Sequence, residues 1–436
     1  MKRRIIMKNL RKSIISIGMA ALMAFGMAGC AGNPSAGGGS ANSKKNVTLK
    51  VLFMKQAGYS ESDINAMTKD FEKANPNIKV SPTFVAYEEL EPKILTAAKT
   101  GGYDVVLGDC IWPSQFAKSG MVLDVTDRVK KLNVSDIYQG ALDSTKYNGK
   151  YYGIPWLNDV KYLYCNKAML SKANIANPPK TWDELIQDAK IIKDKGIVQY
   201  PIAASWSQAE ALICDYTVVA GSFGGSFVDA KNNPTLNSAA NKKALSFMYD
   251  SLKSGLTNPK SLEMIEDDVL STFVSGNAAF ALNWTYMYNE SKDASKSKVV
   301  NDVEIEPVPG EGSVKSATVN GGMPLMITAG CKNPDEAWSY MVYLSSKSVQ
   351  AKYCKDALPI WKSLYTDSNV ISTGGADLVK VSNTQYQYIV NRPQVPYYSS
   401  LSTSMQSKLQ LVLLGKEDAG KALDDLQSKA VSLQNQ

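Results

Sequence analysis

The sequence predicts an α/β protein with chain enough for two core-forming domains. Three observations carry that prediction. Strand and helix signals alternate beyond residue 46, several helices open on readable caps, and 436 residues exceed one typical domain of roughly 150–200. VTLKVLF (47–53) alternates apolar and polar residues before turning apolar, as a strand does. Ile64, Met67 and Phe71 share a helical face, and Asn75-Pro76 stops that helix. IKV (78–80) reads as a second short strand, and DVVLGD (104–109) as a buried parallel strand ending in a polar loop. Thr181-Trp182-Asp183-Glu184 is a capping box: the Thr hydroxyl and Glu carboxylate satisfy free backbone donors. Leu185, Ala189 and Ile192 then form one apolar face, and Gly196 ends the helix. Asn333 and Pro334 open another helix as N-cap and first residue. Leu423, Leu426, Ala430 and Leu433 predict a last helix docked by one face.

The first thirty residues are of another kind. Lys2, Arg3, Arg4, Lys8, Arg11 and Lys12 precede an apolar run from Ile14 to Met27, with no acidic residue among them. That run is shorter than the roughly 20 residues a membrane span needs, and its layout is that of a secretory signal. No later stretch approaches a span, so the remainder reads as soluble. Residues 31–46 (AGNPSAGGGSANSKKN) are small and polar and read as a flexible tether averaging about 20–25 Å in reach.

Composition excludes several chemistries. The signal holds 6 of the 48 basic residues and none of the 41 acidic ones, which leaves 42 against 41, a net charge of +1. No basic stripe remains, so nucleic-acid binding is not expected. The chain has no histidine, which removes His-activated nucleophiles and every His-containing metal site. Its six cysteines, at 30, 110, 165, 214, 331 and 354, lack CxxC spacing; neither a disulfide framework nor a thiolate metal site follows. No metal or cofactor is expected.

The landmarks then assemble. Ala28-Gly29-Cys30 resembles a bacterial lipobox, with Met27 where that motif prefers Leu. From FEKANPNIKV (71–80) the order continues through YDVVLGD (103–109), SGMVLDVTD (119–127), YNGKYYGIPW (147–156) and NPPKTWDEL (177–185). GGSFVD (224–229), FVSGNAAFALNW (273–284), VPGEGS (308–313), KNPDEAW (332–338) and NRPQVPYYSSLS (391–402) complete it. Each piece is weak alone. In this order they resemble the solute-binding lipoproteins of ATP-binding-cassette (ABC) sugar importers, the group that includes maltose-binding protein.

The resemblance implies an α/β, two-lobed, periplasmic-binding-protein-like fold with discontinuous lobes joined by a hinge. Residues 1–29 would be the signal peptide, and 30–46 the lipidated Cys30 with its tether. Residues 47–158 plus 305–356 would form the N-terminal lobe, and 159–304 plus 357–436 the C-terminal lobe. Crossings are expected near Trp156–Asp159, Val303–Pro307 and Ala357–Trp361. A monomer is implied, lipid-anchored through Cys30 on the outer face of the bacterial cell membrane. It would take a carbohydrate in the interlobe cleft and meet the importer's membrane subunits.

A sugar presents hydroxyls and C–H faces, so its site needs planar polar groups beside aromatic rings, with every buried polar group paired. The chain carries 22 Tyr and 7 Trp against 10 Phe, a bias toward rings with a polar tip. Trp284 stands where the family places an aromatic platform. Asp109 ends a strand where open α/β sheets bind ligands, and Asp159 lies where relatives use an acidic sugar ligand. Trp112, Trp206, Trp361 and Tyr59 are further candidates, as is Asn320-Gly321-Gly322, where missing side chains admit a close ligand. Each has a plainer alternative as a core ring, helix cap or turn; Trp182 and Trp338 are read as packing residues. Two other functions stay open. A glycoside hydrolase would need a carboxylate pair roughly 5–10 Å apart, which Asp109 and Asp159 could supply. The same fold could instead hold a polyamine, an iron complex or a phosphate ester.

Overall fold

The computed structural model describes residues 46–55 and 58–436; the signal, Cys30 and nearly all of the tether lie outside the described residues. Strands β1 (Val47–Met54), β2 (Ile78–Val85) and β3 (Val105–Leu107) come first, then the hairpin of β4 (Lys146–Tyr147) and β5 (Lys150–Tyr151). The chain continues through β6 (Ile154–Leu157), β7 (Tyr162–Asn166), β8 (Ile202–Ala203) and β9 (Phe280–Asn283). It closes with β10 (Val303–Glu306), β11 (Thr318–Val319), β12 (Met323–Ile327) and β13 (Ile389–Val390).

Two sheets organise two lobes. The first runs β2-β1-β3-β12-β6, and the second β10-β7-β9-β8. In the first sheet β1 is parallel to β2 and β3, while β12 lies antiparallel to β3 and β6. Buried on both faces, β3 and β12 expose no residue, hence their apolar runs. Helices Glu61–Ala74 and Pro334–Leu344 cover this sheet, with Phe71 edge-on to Tyr340 at 5.0 Å. In the second lobe the core is helical, formed where Glu210–Ser222, Ala239–Lys253, Tyr398–Leu413 and Ala419–Gln434 meet.

Local rules hold at most of the expected places. Thr181 builds the expected full capping box, and Ser60 builds another that the sequence reading did not name. Leu423, Leu426, Ala430 and Leu433 are all buried along one face of the last helix. Asn333 does precede a helix with Pro334 at its start, but its side chain donates and accepts no capping bond. The strand IKV runs on to Val85, because Pro82 falls on an edge strand where its missing N–H costs no ladder bond.

The second crossing lies later than Val303–Pro307. Val303 and Ile305 alternate into the second lobe's core, and β10 pairs antiparallel with β7 along its full length. Residues 305–306, expected in the N-terminal lobe, therefore belong to the other sheet. Gly310 still bonds to Lys180 and Trp182 beyond it. The chain enters the first sheet only at Met323, after the parallel pair β11–β13. Leu325 and Leu212 are fully buried in the two separate cores. Leu325→Ala and Leu212→Ala should each cost about 2–5 kcal/mol, measured as a lowered urea midpoint, with ligand-free circular dichroism otherwise unchanged.

Candidate functional site

Three chain segments converge where the two lobes meet: the loop after β3, the crossing between β11 and β12, and the segment after β13. Asp109 follows β3, at the carboxyl end of a parallel strand. Arg392 follows β13, and Glu210 begins the helix Glu210–Ser222, where the helix dipole favours a carboxylate. The guanidinium joins them: Nη2 lies 2.7 Å from Asp109 Oδ1, and Nη1 2.7 Å from Glu210 Oε1. Its side chain is only 1% exposed. Tyr87 donates to the other Asp109 oxygen at 2.7 Å, and Tyr398 and Ser402 donate to Glu210. Burial pushes Glu210 up, against the pull of Arg392 and the two hydroxyls.

A second ionic group sits beside it. Lys161, fully buried, donates to Asp215 at 2.6 Å and Ser205 at 3.0 Å, and contacts Glu266 Oε1 at 3.2 Å. Burial opposes its charge, but Asp215 and Glu266 outweigh that and hold the ammonium above its usual range. Trp284 follows β9 and donates its indole N–H to the same Glu266 oxygen, while Lys161 Nζ stands 5.1 Å from the ring centre. Gly321 lies against the ring so closely that a Cβ there would come within 2.4 Å of it. Any larger residue would displace the indole.

Asp159 ties this ring to the crossing. Its Oδ1 accepts from Val160 N, Thr285 N and the Thr285 hydroxyl, and its backbone carbonyl accepts from Gly321 N at 2.9 Å. Burial raises its pKa to about 6 despite those donors. Asn320 caps the crossing by accepting from Gly322 N, and its carbonyl accepts from Arg392. Asp109 and Asn320 thus meet through Arg392, while Asp159, Gly321 and Trp284 meet directly.

The remaining candidates stand elsewhere. Trp112 is buried in the first core, stacked 5.7 Å from Tyr87, one layer behind Asp109. Trp206 is 5% exposed in the second core, so its ring serves packing. Tyr59 is 1% exposed and packs on Trp156 at 4.9 Å. Trp361 lies at the third crossing, where its N–H donates to Ser345 O and Lys347 covers its ring. Trp112, Trp206 and Tyr59 are buried inside the lobes, and Trp361 is partly buried.

Sequence reading missed Arg392, Glu210, Lys161, Asp215 and Glu266. One signal was available: beyond residue 45 nearly every cation is Lys, and Arg128 and Arg392 are the two arginines. Arginine suits a buried pair with carboxylates because its planar fork engages two at once. Among the described residues, no group of three or more His, Cys, Asp or Glu is placed to hold a metal. No helix among them is long and apolar enough to cross a membrane.

Residues 57–351 match the family described as bacterial extracellular solute-binding protein. A probable ABC transporter-binding protein of Deinococcus radiodurans is 26% identical over 350 residues, covering 76% of this chain and 80% of its own. Among solved structures, an ABC transporter solute-binding protein of Agrobacterium radiobacter in complex with ribitol is 26% identical, with a TM-score of 0.80 over 89% of this chain and 99% of its own. Maltose-bound MalE3 of T. maritima is 23% identical, with a TM-score of 0.81 over 89% of this chain and 100% of its own. The two-lobed periplasmic-binding-protein fold is shared with both.

Arg392→Met leaves Asp109 and Glu210 buried without their cation and should cost about 3–5 kcal/mol. Glu210, already pushed up by burial, then loses the guanidinium that pulls it down, so stability is retained where it is protonated and lost as pH rises through its raised value. The deficit against the native chain should therefore be smallest near about pH 5 and grow toward about pH 8, as chemical denaturation at the two pH values will read.

Proposed function

The chain belongs to the bacterial extracellular solute-binding proteins, and on that footing we propose that it captures a carbohydrate between its lobes for an ABC importer. The observation that carries this reading is the part-exposed Trp284 ring, packed on Gly321 and held by Glu266, with Asp159 bonded to the adjacent Thr285. An indole face suits the C–H patches of a sugar, and fixed carboxylates suit its hydroxyls. The relatives add weight: one solved structure holds ribitol and another maltose. A ligand that touches both lobes favours the closed arrangement, since only closure collects both sets of contacts. Trp206, Trp361, Trp112 and Tyr59 act in this reading as packing that fixes the lobes.

A hydrolase reading has less support. Asp109 spends both oxygens on Arg392 and Tyr87, so it is not free to act as a second carboxylate opposite Asp159. The protein acts as a monomer, with no cofactor, held to the outer membrane face through Cys30 and meeting the importer's membrane subunits there.

Thermal-shift screening against mono- to trisaccharides and polyols should find at least one that raises the melting temperature, since a ligand at 100 times its Kd adds about 2.7 kcal/mol. Trp284→Ala should weaken that ligand by roughly thirtyfold, about 2 kcal/mol; response only to amines or metal complexes would exclude the sugar reading. Cys30→Ser should move the protein from the membrane fraction to the medium in a bacterial host, and continued membrane retention would refute the anchor.

A further inference from the structure

We infer that the cleft selects a sugar bearing no anionic group, and that Glu266, beside Trp284, is the acceptor that sets this preference. The inference rests on the carbohydrate reading above and narrows its substrate class.

The argument is an inventory of donors and acceptors. Two cations belong to this site, and both are buried against carboxylates. Lys161 donates to Asp215 and Ser205 and is ion-paired with Glu266 at 3.2 Å. Its side chain is 0% exposed. Arg392 directs Nη1 to Glu210 and Nη2 to Asp109, with Asn320 O and Cys110 Sγ also against Nη2. Its Nε–H is buried and unpartnered, so it does not reach out to a guest. Neither cation is free to pair with a carboxylate or phosphate on a ligand.

Acceptors, by contrast, remain. Glu266 uses Oε1 for both Lys161 and the Trp284 indole. No described residue donates to its Oε2, and its side chain is 21% exposed. Asp159 likewise spends only Oδ1, on Val160 and Thr285. Glu266 thus stands at the ring's edge and Asp159 is bonded to the next residue, Thr285, and each keeps one carboxylate oxygen without a donor among the described residues. Hydroxyl hydrogens match that arrangement, whereas an anion brings more acceptors to a place short of donors. Asp109, Glu210, Asp215, Glu266 and Asp159 also outnumber Lys161 and Arg392 as charges. Like-charge juxtaposition in such a site should weaken an acidic sugar by about a hundredfold or more relative to its neutral parent.

Glu266 is well held for this task. It begins the helix Glu266–Val274, its backbone carbonyl accepts from Asn283, and the indole N–H fixes its head beside the ring. Rotating it away would strand both Lys161 and the Trp284 donor.

The test is calorimetry on the full mature chain with matched pairs: glucose and glucuronate, galactose and galacturonate, maltose and maltobionate, mannose and mannose 6-phosphate. Mannitol and N-acetylglucosamine extend the neutral set. Binding of a neutral member with its acidic partner at least about a hundredfold weaker supports the inference. Equal or tighter binding of the acid overturns it and leaves the carbohydrate reading standing. Binding of no saccharide by a folded protein overturns both. Glu266→Gln keeps an oxygen for the indole and removes the charge. It should weaken the neutral sugar by roughly tenfold and narrow the gap to the acid, with the melting temperature of the free protein reported alongside. A folded Glu266→Gln chain with both affinities unchanged would remove Glu266 from the role, and Glu266→Asp should restore the discrimination in part if charge is the cause.

Discussion

The fold turns on one guanidinium. Arg392 is buried between a carboxylate from each lobe, Asp109 after β3 and Glu210 at the head of a helix in the second lobe. A buried charge is tolerated only where its partners are in place, since water no longer solvates it. The three segments that bring those partners must therefore arrive together. The neighbours obey the same constraint: Tyr87 and Ser402 each donate to a carboxylate oxygen that Arg392 leaves unspent, and Tyr398 adds a second donor to the Glu210 oxygen that Arg392 already holds. What results is a buried polar seam whose carboxylates are each held by several donors, of the kind that specifies one arrangement of its surroundings.

From that seam the rest of the site follows by proximity. Asn320 gives Arg392 its carbonyl, and the next residue, Gly321, receives the Trp284 ring. One crossing thus serves both the ionic seam and the aromatic face. Gly321 is required there for close approach, because a Cβ would overlap the indole. Glu266 then links Lys161 to the indole, so the ring is fixed at its edge as well as its face. Preorganisation of this sort limits the ordering cost that a ligand would otherwise meet.

Local signals were legible because they depend on near neighbours. The Thr181 capping box, the buried stripe of the last helix and the strand at β1 follow from spacing alone. Crossing positions were less legible. VEIE at 303–306 alternates like any half-buried strand, and nothing in its residues says which sheet supplies its partner. Pairing with β7 decided that. The surroundings of the aromatic candidates were illegible for a similar reason: Trp206 and Tyr59 have the right chemistry for a sugar, and only packing shows how deeply their rings are buried.

By itself, the sequence determined the α/β class, the order of family motifs and the absence of histidine, all of which are local or compositional. It also pointed to Asp109, Asp159, Trp284 and Gly321. Tertiary structure alone decided that Asp109 faces a cation, that Glu210 and Arg392 meet across 182 positions, and that Glu266 keeps one oxygen unspent. Those facts belong to long-range pairing, where a charge has no meaning until its partner arrives, and no window along the chain contains both.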